Sequence, residues 1–156
     1  MRRKDRAVED PKEIVDIMSR CQILHLAFNT EGAPYILPVN FAMEPDGMTL
    51  YIHGAKEGSK YGFLERDNRV GFEMEFCRGL VMDHEDHSCS VDYESVIGWG
   101  TMTELTGKEE KLHALNMLMK HYRQEDFPVD MGPMPRTRVL CLNVQERTAK
   151  RSRKFY

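Results

Sequence analysis

The sequence predicts a mainly β fold with peripheral helices, in the form of a small antiparallel barrel of about six strands. Three features carry that expectation. Several segments alternate apolar and polar residues at the two-residue period of a half-buried strand, Val70–Phe76 most strictly. Only two long stretches, one early and one late, have the spacing of an amphipathic helix. The strand-like segments follow one another through short turns, which suits antiparallel neighbours better than the crossovers of a doubly wound parallel sheet.

In chain order, Asp10 caps the first helix, Pro11 suits its first turn, and Glu13 completes a box-like D-x-x-E. Ile14, Ile17, Met18 and Cys21 then share one face. Gln22–Phe28 is too apolar for a helix surface and stops at the turn Asn29–Gly32. Pro34–Ala42 contains Pro34 and Pro38, the mark of an edge or bulged strand. Glu44–Gly47 is a turn and Met48–His53 alternates like a strand, so these segments are expected to form a meander. A short helix covers Ser59 to about Arg66. After the Val70–Phe76 strand, Cys77–Val91 reads as irregular. Ser95–Leu105 resumes strand character, with Gly98 and Gly100 marking a bulge or a close backbone approach. Lys108–Tyr122 is the second long helix, with Leu112, Leu115, Leu118, Met119 and Tyr122 on its apolar side. A Pro-rich connector, Phe127–Pro135, leads to a last strand, Thr137–Val144, and a basic tail. The whole, residues 1–156, is expected to be one domain.

Composition narrows the function. The chain has 156 residues, 41% hydrophobic and 30% charged, an ordinary globular mix long enough to bury a core. A net charge of −3 argues against nucleic acid or an anionic membrane as the main partner. No apolar run reaches the ~18 residues of a membrane span, and MRRKDRAVED lacks the apolar stretch of a secretory signal. The 4 cysteines form no CxxC pair, so reduced thiols and a cytoplasmic location are expected.

Four constellations could carry chemistry. His53-Gly-Ala-Lys-Glu-Gly58-Ser59-Lys60 lies where a strand gives way to a helix. A helix N-terminus offers free N–H groups, Gly58 permits close approach, Ser59 adds a hydroxyl and Lys60 a charge suited to a phosphate. By residue type alone, the same stretch is also an ordinary junction with solvent-facing lysines. His84, His87 and Cys89 are metal-ligating types, but no second ligand pair accompanies them, so Asp83–Cys89 reads as a solvated acidic loop and no metal is expected. Tyr93–Gly100 could let a flat ligand lie against its glycines, or simply relieve crowding in a curved sheet. The basic ends, Arg2, Arg3, Lys4 and Arg6 against Lys150, Arg151, Arg153 and Lys154, read as solvated charge. No G-x-S-x-G, Walker loop, HExxH or GxGxxG occurs, so hydrolase and phosphoryl-transfer readings have no support.

Taken in order, RRKDR, GAPYILPVNF, LYIHGAKEGSK, YESVIGWG, EEKLHALNMLMKHY and the late TAK resemble the nitroimidazole-resistance proteins along nearly the whole chain. Those belong to the pyridoxamine 5′-phosphate oxidase-like flavin proteins, which have the FMN-binding split-barrel fold. The resemblance implies FMN bound at a homodimer interface. Pro38, Val39, Asn40 and Phe41 would lie along the isoalloxazine ring, with Tyr51, Ile52 and His53 beside it. Gly58, Ser59 and Lys60 would meet the phosphate, and the stretch holding Ser95 and Val96 would approach the flavin from the same chain or its partner. The chain departs from authentic pyridoxamine phosphate oxidases by ending in AKRSRKFY where they carry an Arg-Leu-x-Pro type motif, which disfavours vitamin B6 oxidation. The implied activity is an FMN-dependent oxidoreductase that takes electrons from NAD(P)H and reduces a small flat acceptor such as a nitroaromatic. His53 is the candidate proton donor or substrate contact. The alternative is a flavin- or haem-binding carrier or sensor without turnover.

Overall fold

In the computed structural model, which describes residues 3–85, 87–122 and 137–152, a 3-10 turn (Lys4–Arg6) and a short strand β1 (Ala7–Val8) precede the first helix. The Pro-rich connector and residues Arg2, Arg153 and Lys154 lie outside the described residues. Helix α1 (Pro11–Arg20) begins as read: the Asp10 carboxylate accepts from the Lys12 N–H at 2.9 Å, a cap that contributes about 1 kcal/mol. Glu13 does not close the box but pairs with Arg151 at 2.9 Å, so that charge ties the helix to the last strand. Ile14, Ile17, Met18 and Cys21 are buried, as their shared face requires.

The remaining elements are β2 (Leu24–Phe28), β3 (Tyr35–Val39), β4 (Ala42–Met43), β5 (Thr49–Ala55), α2 (Ser59–Arg66), β6 (Arg69–Asp83), β7 (Ser88–Leu105), α3 (Lys108–His121) and β8 (Thr137–Arg151). The strands form one antiparallel sheet in the order β3-β2-β6-β7-β8-β5-β4, with β1 beside β8. Strand β3 is at an end of that order, where Pro38, lacking an N–H, is tolerated. The expected meander does not form. β2 pairs with β3 and β4 with β5, but β5 joins the opposite end of the sheet through β8. Only Asn40 and Phe41 link β3 to β4, so the two ends of the sheet lie within about 11 Å of each other. The sheet therefore curls until β3 and β4 meet at a two-residue seam, but no hydrogen-bonded rung closes it.

Three strands run further than expected. Cys77–Val91 is not irregular: β6 and β7 continue past a bulge between Cys77 and Gly79 to form a hairpin arm that turns at 84–87. An arm that covers no core shows no buried face in its sequence; Leu80 and Met82 are exposed on it. Strand β8 likewise continues past Val144, because Ala149 and Lys150 pair with both β7 and β1. Gly98 and Gly100 sit where β7 crosses the kink in β8. A Cβ on Gly98 would overlap the Glu146 carbonyl and the Phe72 ring, and one on Gly100 would overlap the Asn143 carbonyl.

Val70, Phe72, Met74, Leu26, Phe28 and Leu50 fill the barrel, while α3 buries Ala114 and Leu118 against Ala42, Tyr51, Val139 and Cys141 outside it. Leu115 and Tyr122 pack there too, whereas Leu112 and Met119 are only half-buried. At the base of the arm the Glu94 carboxylate, 2% exposed, meets Arg20, Arg78 at 3.0 Å and Arg151 at 3.2 Å. All four cysteines are free thiols. Among the described residues no helix is long and apolar enough to cross a membrane.

Candidate functional site

Strand β5 ends at Ala55, and the chain turns through Gly58 into α2. Gly58 has φ of 150°, a conformation that side chains resist, and no side chain caps the helix that follows. The first N–H groups of α2 therefore remain available at its positive end. Tyr61 fastens the helix to β5 by donating its hydroxyl to the Ala55 carbonyl at 2.5 Å. Lys60 folds back, its Nζ 4.4 Å from the centre of the Tyr61 ring. A Cβ on Gly54 would come within 3.1 Å of both Lys60 Nζ and the Tyr61 hydroxyl, so bare backbone at that rung makes room for them.

A second cation arrives from β8. Arg138 stands directly across from Gly54, its guanidinium carbon 3.5 Å from the Tyr61 ring centre. Its Nε and Nη2 both donate to one Glu104 oxygen, at 3.0 and 2.5 Å. Burial, then the nearby Arg138 charge, lowers the Lys60 pKa. The Glu104 hydrogen bond raises Arg138, and the same contact lowers Glu104. Arg138 and Glu104 were absent from the sequence reading. No local pattern marks them, since only the β5–β8 register and the β7–β8 register bring them to Gly54 and Tyr61.

The other residues singled out in the sequence divide into three groups. His53 is exposed one residue before Gly54, on the rung opposite Val139, and the atoms packed around its ring lower its pKa. Gly58, Ser59 and Lys60 thus gather at one end of β5, whereas His53 shares the strand face of Tyr51 and Val139 and points away from the Gly54 side. Pro38 and Asn40 are exposed and Val39 half-buried along the seam, but Phe41 is wholly buried, its ring 4.6 Å from that of His121. Phe41 can face the seam only with its backbone, and its N–H already donates to the Tyr122 hydroxyl at 3.2 Å. Tyr51 points under α3 and donates to Glu44 at 2.7 Å, with His113 on the same carboxylate oxygen at 2.6 Å; Ile52 is core. Ser95 and Val96 are buried beside Lys150 and Ala149, about 40 Å along β8 from Arg138, so one protomer does not bring them to this site.

On the outer face of β3, β2, β6 and β7, Ile36, Ile97 and Trp99 are exposed by 63%, 51% and 41%. A groove of about 410 Å³ runs beside Ile36 over Ala27, Gly71 and Gly98. Val70, Phe72 and Met74 point the other way, into the barrel, because that face of β6 is the one the core needs. At the groove's edge His25, Glu73 and Glu75 place their ligating atoms within 4.8 Å of one another. Burial, then the neighbouring Glu75, pushes Glu73 up to about 7. Among the described residues His84, His87 and Cys89, at the tip of the arm, form no such group.

A family model described as pyridoxamine 5′-phosphate oxidase matches residues 10–151. No curated protein matches the sequence. Among solved structures, a candidate 5-nitroimidazole antibiotic resistance protein from Bacteroides thetaiotaomicron is 30% identical, with a TM-score of 0.80, over 92% of this chain and 85% of that one. A flavocytochrome from Azotobacter vinelandii superposes with a TM-score of 0.77 at 22% identity, over 97% and 72% of the two chains. An FAD and haem binding protein from Mycobacterium smegmatis does so with 0.80 at 18%, over 95% and 74%. The last two likenesses speak to the fold alone.

Proposed function

Because the chain belongs to the pyridoxamine 5′-phosphate oxidase family, we propose that it is a homodimeric, FMN-dependent oxidoreductase that reduces a small flat acceptor such as a nitroaromatic. The observation that carries this reading is the glycine-lined, cationic pocket at the start of α2, where Gly54 and Gly58 leave room beside Lys60. Bound FMN would supply the redox chemistry, receiving electrons from NAD(P)H and passing them to the acceptor. The residues present fit its phosphate: Gly54 and Gly58 leave space that a Cβ would fill, and Lys60, Ser59 and the first N–H groups of α2 supply charge and donors. Pro38, Val39 and Asn40 offer the seam as a surface for the ring. His53, with its lowered pKa, is largely neutral near pH 7 and can donate or accept one hydrogen bond to an acceptor on that ring.

The barrel interior is filled by its own side chains, which leaves the ring outside it. A second copy seated on the apolar outer face would cover the ring and bury Ile36, Ile97 and Trp99. Ser95 and Val96 would then reach the ring only from the partner, and Val96 only through its backbone. The test is direct. Purified protein should be yellow, have the mass of a dimer in solution, lose its flavin absorbance with NAD(P)H under anaerobic conditions, and regain it on adding a nitroaromatic. His53→Ala should keep the flavin and lose most of the reoxidation rate. A bound flavin that no donor or acceptor perturbs would replace the enzyme reading with a carrier, and a monomeric mass would remove the shared site.

A further inference from the structure

The two cations at the anion site are not equivalent. Among the described residues Lys60 makes no ion pair, whereas Arg138 is already matched by Glu104. That match is close but one-sided. Both guanidinium donors converge on a single oxygen, Oε2, and do not form the two-oxygen fork of the strongest arginine–carboxylate pairs. Both side chains also keep about a third of their surface in water, 30% for Arg138 and 31% for Glu104. Meanwhile the guanidinium is held over the Tyr61 ring, on the rung of Gly54, beside Lys60. A phosphate monoester carries a charge of about −1.5 to −2 near pH 7, more than Lys60 alone can match.

We propose that Glu104 is an exchangeable counter-ion, which holds Arg138 over Tyr61 until a phosphate monoester takes over the Arg138 donors and completes a two-cation clamp with Lys60. This rests on the reading of α2 as the phosphate end of the flavin site. It deepens that reading by making Arg138 and Glu104 the pair that distinguishes FMN from riboflavin, which has no phosphate. It also favours FMN over FAD, whose bridging phosphates each carry a single charge.

The test compares wild type, Glu104→Gln and Arg138→Gln by fluorescence titration with FMN and riboflavin. Glu104→Gln keeps size and hydrogen bonding but removes the competing charge, so FMN should bind roughly 3- to 10-fold more tightly. Arg138→Gln loses a charge-assisted contact and should bind FMN roughly 10- to 150-fold more weakly. Riboflavin should bind all three alike. A Glu104→Gln protein that binds FMN no more tightly than wild type, or that gains equally for riboflavin, overturns the exchange. Thermal melts in inorganic phosphate give a readout independent of flavin: phosphate should raise the melting temperature most in Glu104→Gln and least in Arg138→Gln. If neither flavin binds wild type, the flavin reading falls but the phosphate melts still decide the exchange, and equal shifts in the three proteins overturn it.

Discussion

Lys60→Ala isolates the phosphate contact from the rest of the proposed flavin site. Lys60 lies in the first turn of α2, half-buried, with its ammonium over the Tyr61 ring and no carboxylate partner among the described residues. Removing it deletes one charge-assisted contact to the phosphate, about 1.5–3 kcal/mol, which corresponds to roughly 10- to 150-fold in FMN affinity. The fold should barely notice. An exposed cation–π contact contributes about 0.5–1 kcal/mol, and alanine is a better helix former than lysine. Tyr61 remains pinned to the Ala55 carbonyl, so α2 keeps its place on β5. Titration of FMN and riboflavin by fluorescence, with a thermal melt of each protein, separates these effects. FMN affinity should fall within that range, riboflavin affinity should stay level, and the proposed dimer should survive. Equal losses for FMN and riboflavin would mean that Lys60 shapes the ring site instead, and an unchanged FMN affinity would remove α2 as the phosphate end.

Two further outcomes follow from the charges outside that site. Glu94→Gln removes a buried carboxylate from beneath three guanidiniums; with those still partly in water, the usual 3–5 kcal/mol is reduced to about 2–4 kcal/mol, so a thermal melt should drop by roughly 4–16 °C. Glu73 keeps its proton up to about pH 7 in the folded protein but only to about 4.5 when unfolded, so the folded state binds the extra proton between those values. Its contribution is fully present below pH 4.5 and is lost as pH rises through 7. Glu73→Gln should therefore gain stability relative to wild type on going from pH 5 to pH 8 in paired melts, and a constant difference across that window would refute the assignment.

Much of this protein follows from local chemistry. Asp10 and Pro11 set the start of α1 because an N-cap needs only its own two neighbours, and Ser59–Arg66 was readable as a helix after a glycine that had to turn. Pro38 placed β3 at a sheet edge, since a missing N–H is a property of one residue. Gly58, Ser59 and Lys60 were legible as a candidate anion site for the same reason: the helix end that would make them one is contiguous in sequence. What alternation could not disclose was the arm beyond Cys77, where no core selects one face of the strands.

The tertiary structure decided everything that depends on strand order and register. Two residues, Asn40 and Phe41, carry the chain from one end of the sheet to the other, and that crossing alone turns a run of strands into a split barrel. The β5–β8 register sets Arg138 against Gly54, and the β7–β8 register puts Glu104 within its reach. The same strand order buries Val70, Phe72 and Met74 and leaves Ile36, Ile97 and Trp99 outside. Composition and periodicity specify which residues must be buried and which turns must be tight. Which distant cation meets which carboxylate is settled only when strands far apart in sequence pair, because pairing follows from filling the whole barrel and not from any one segment.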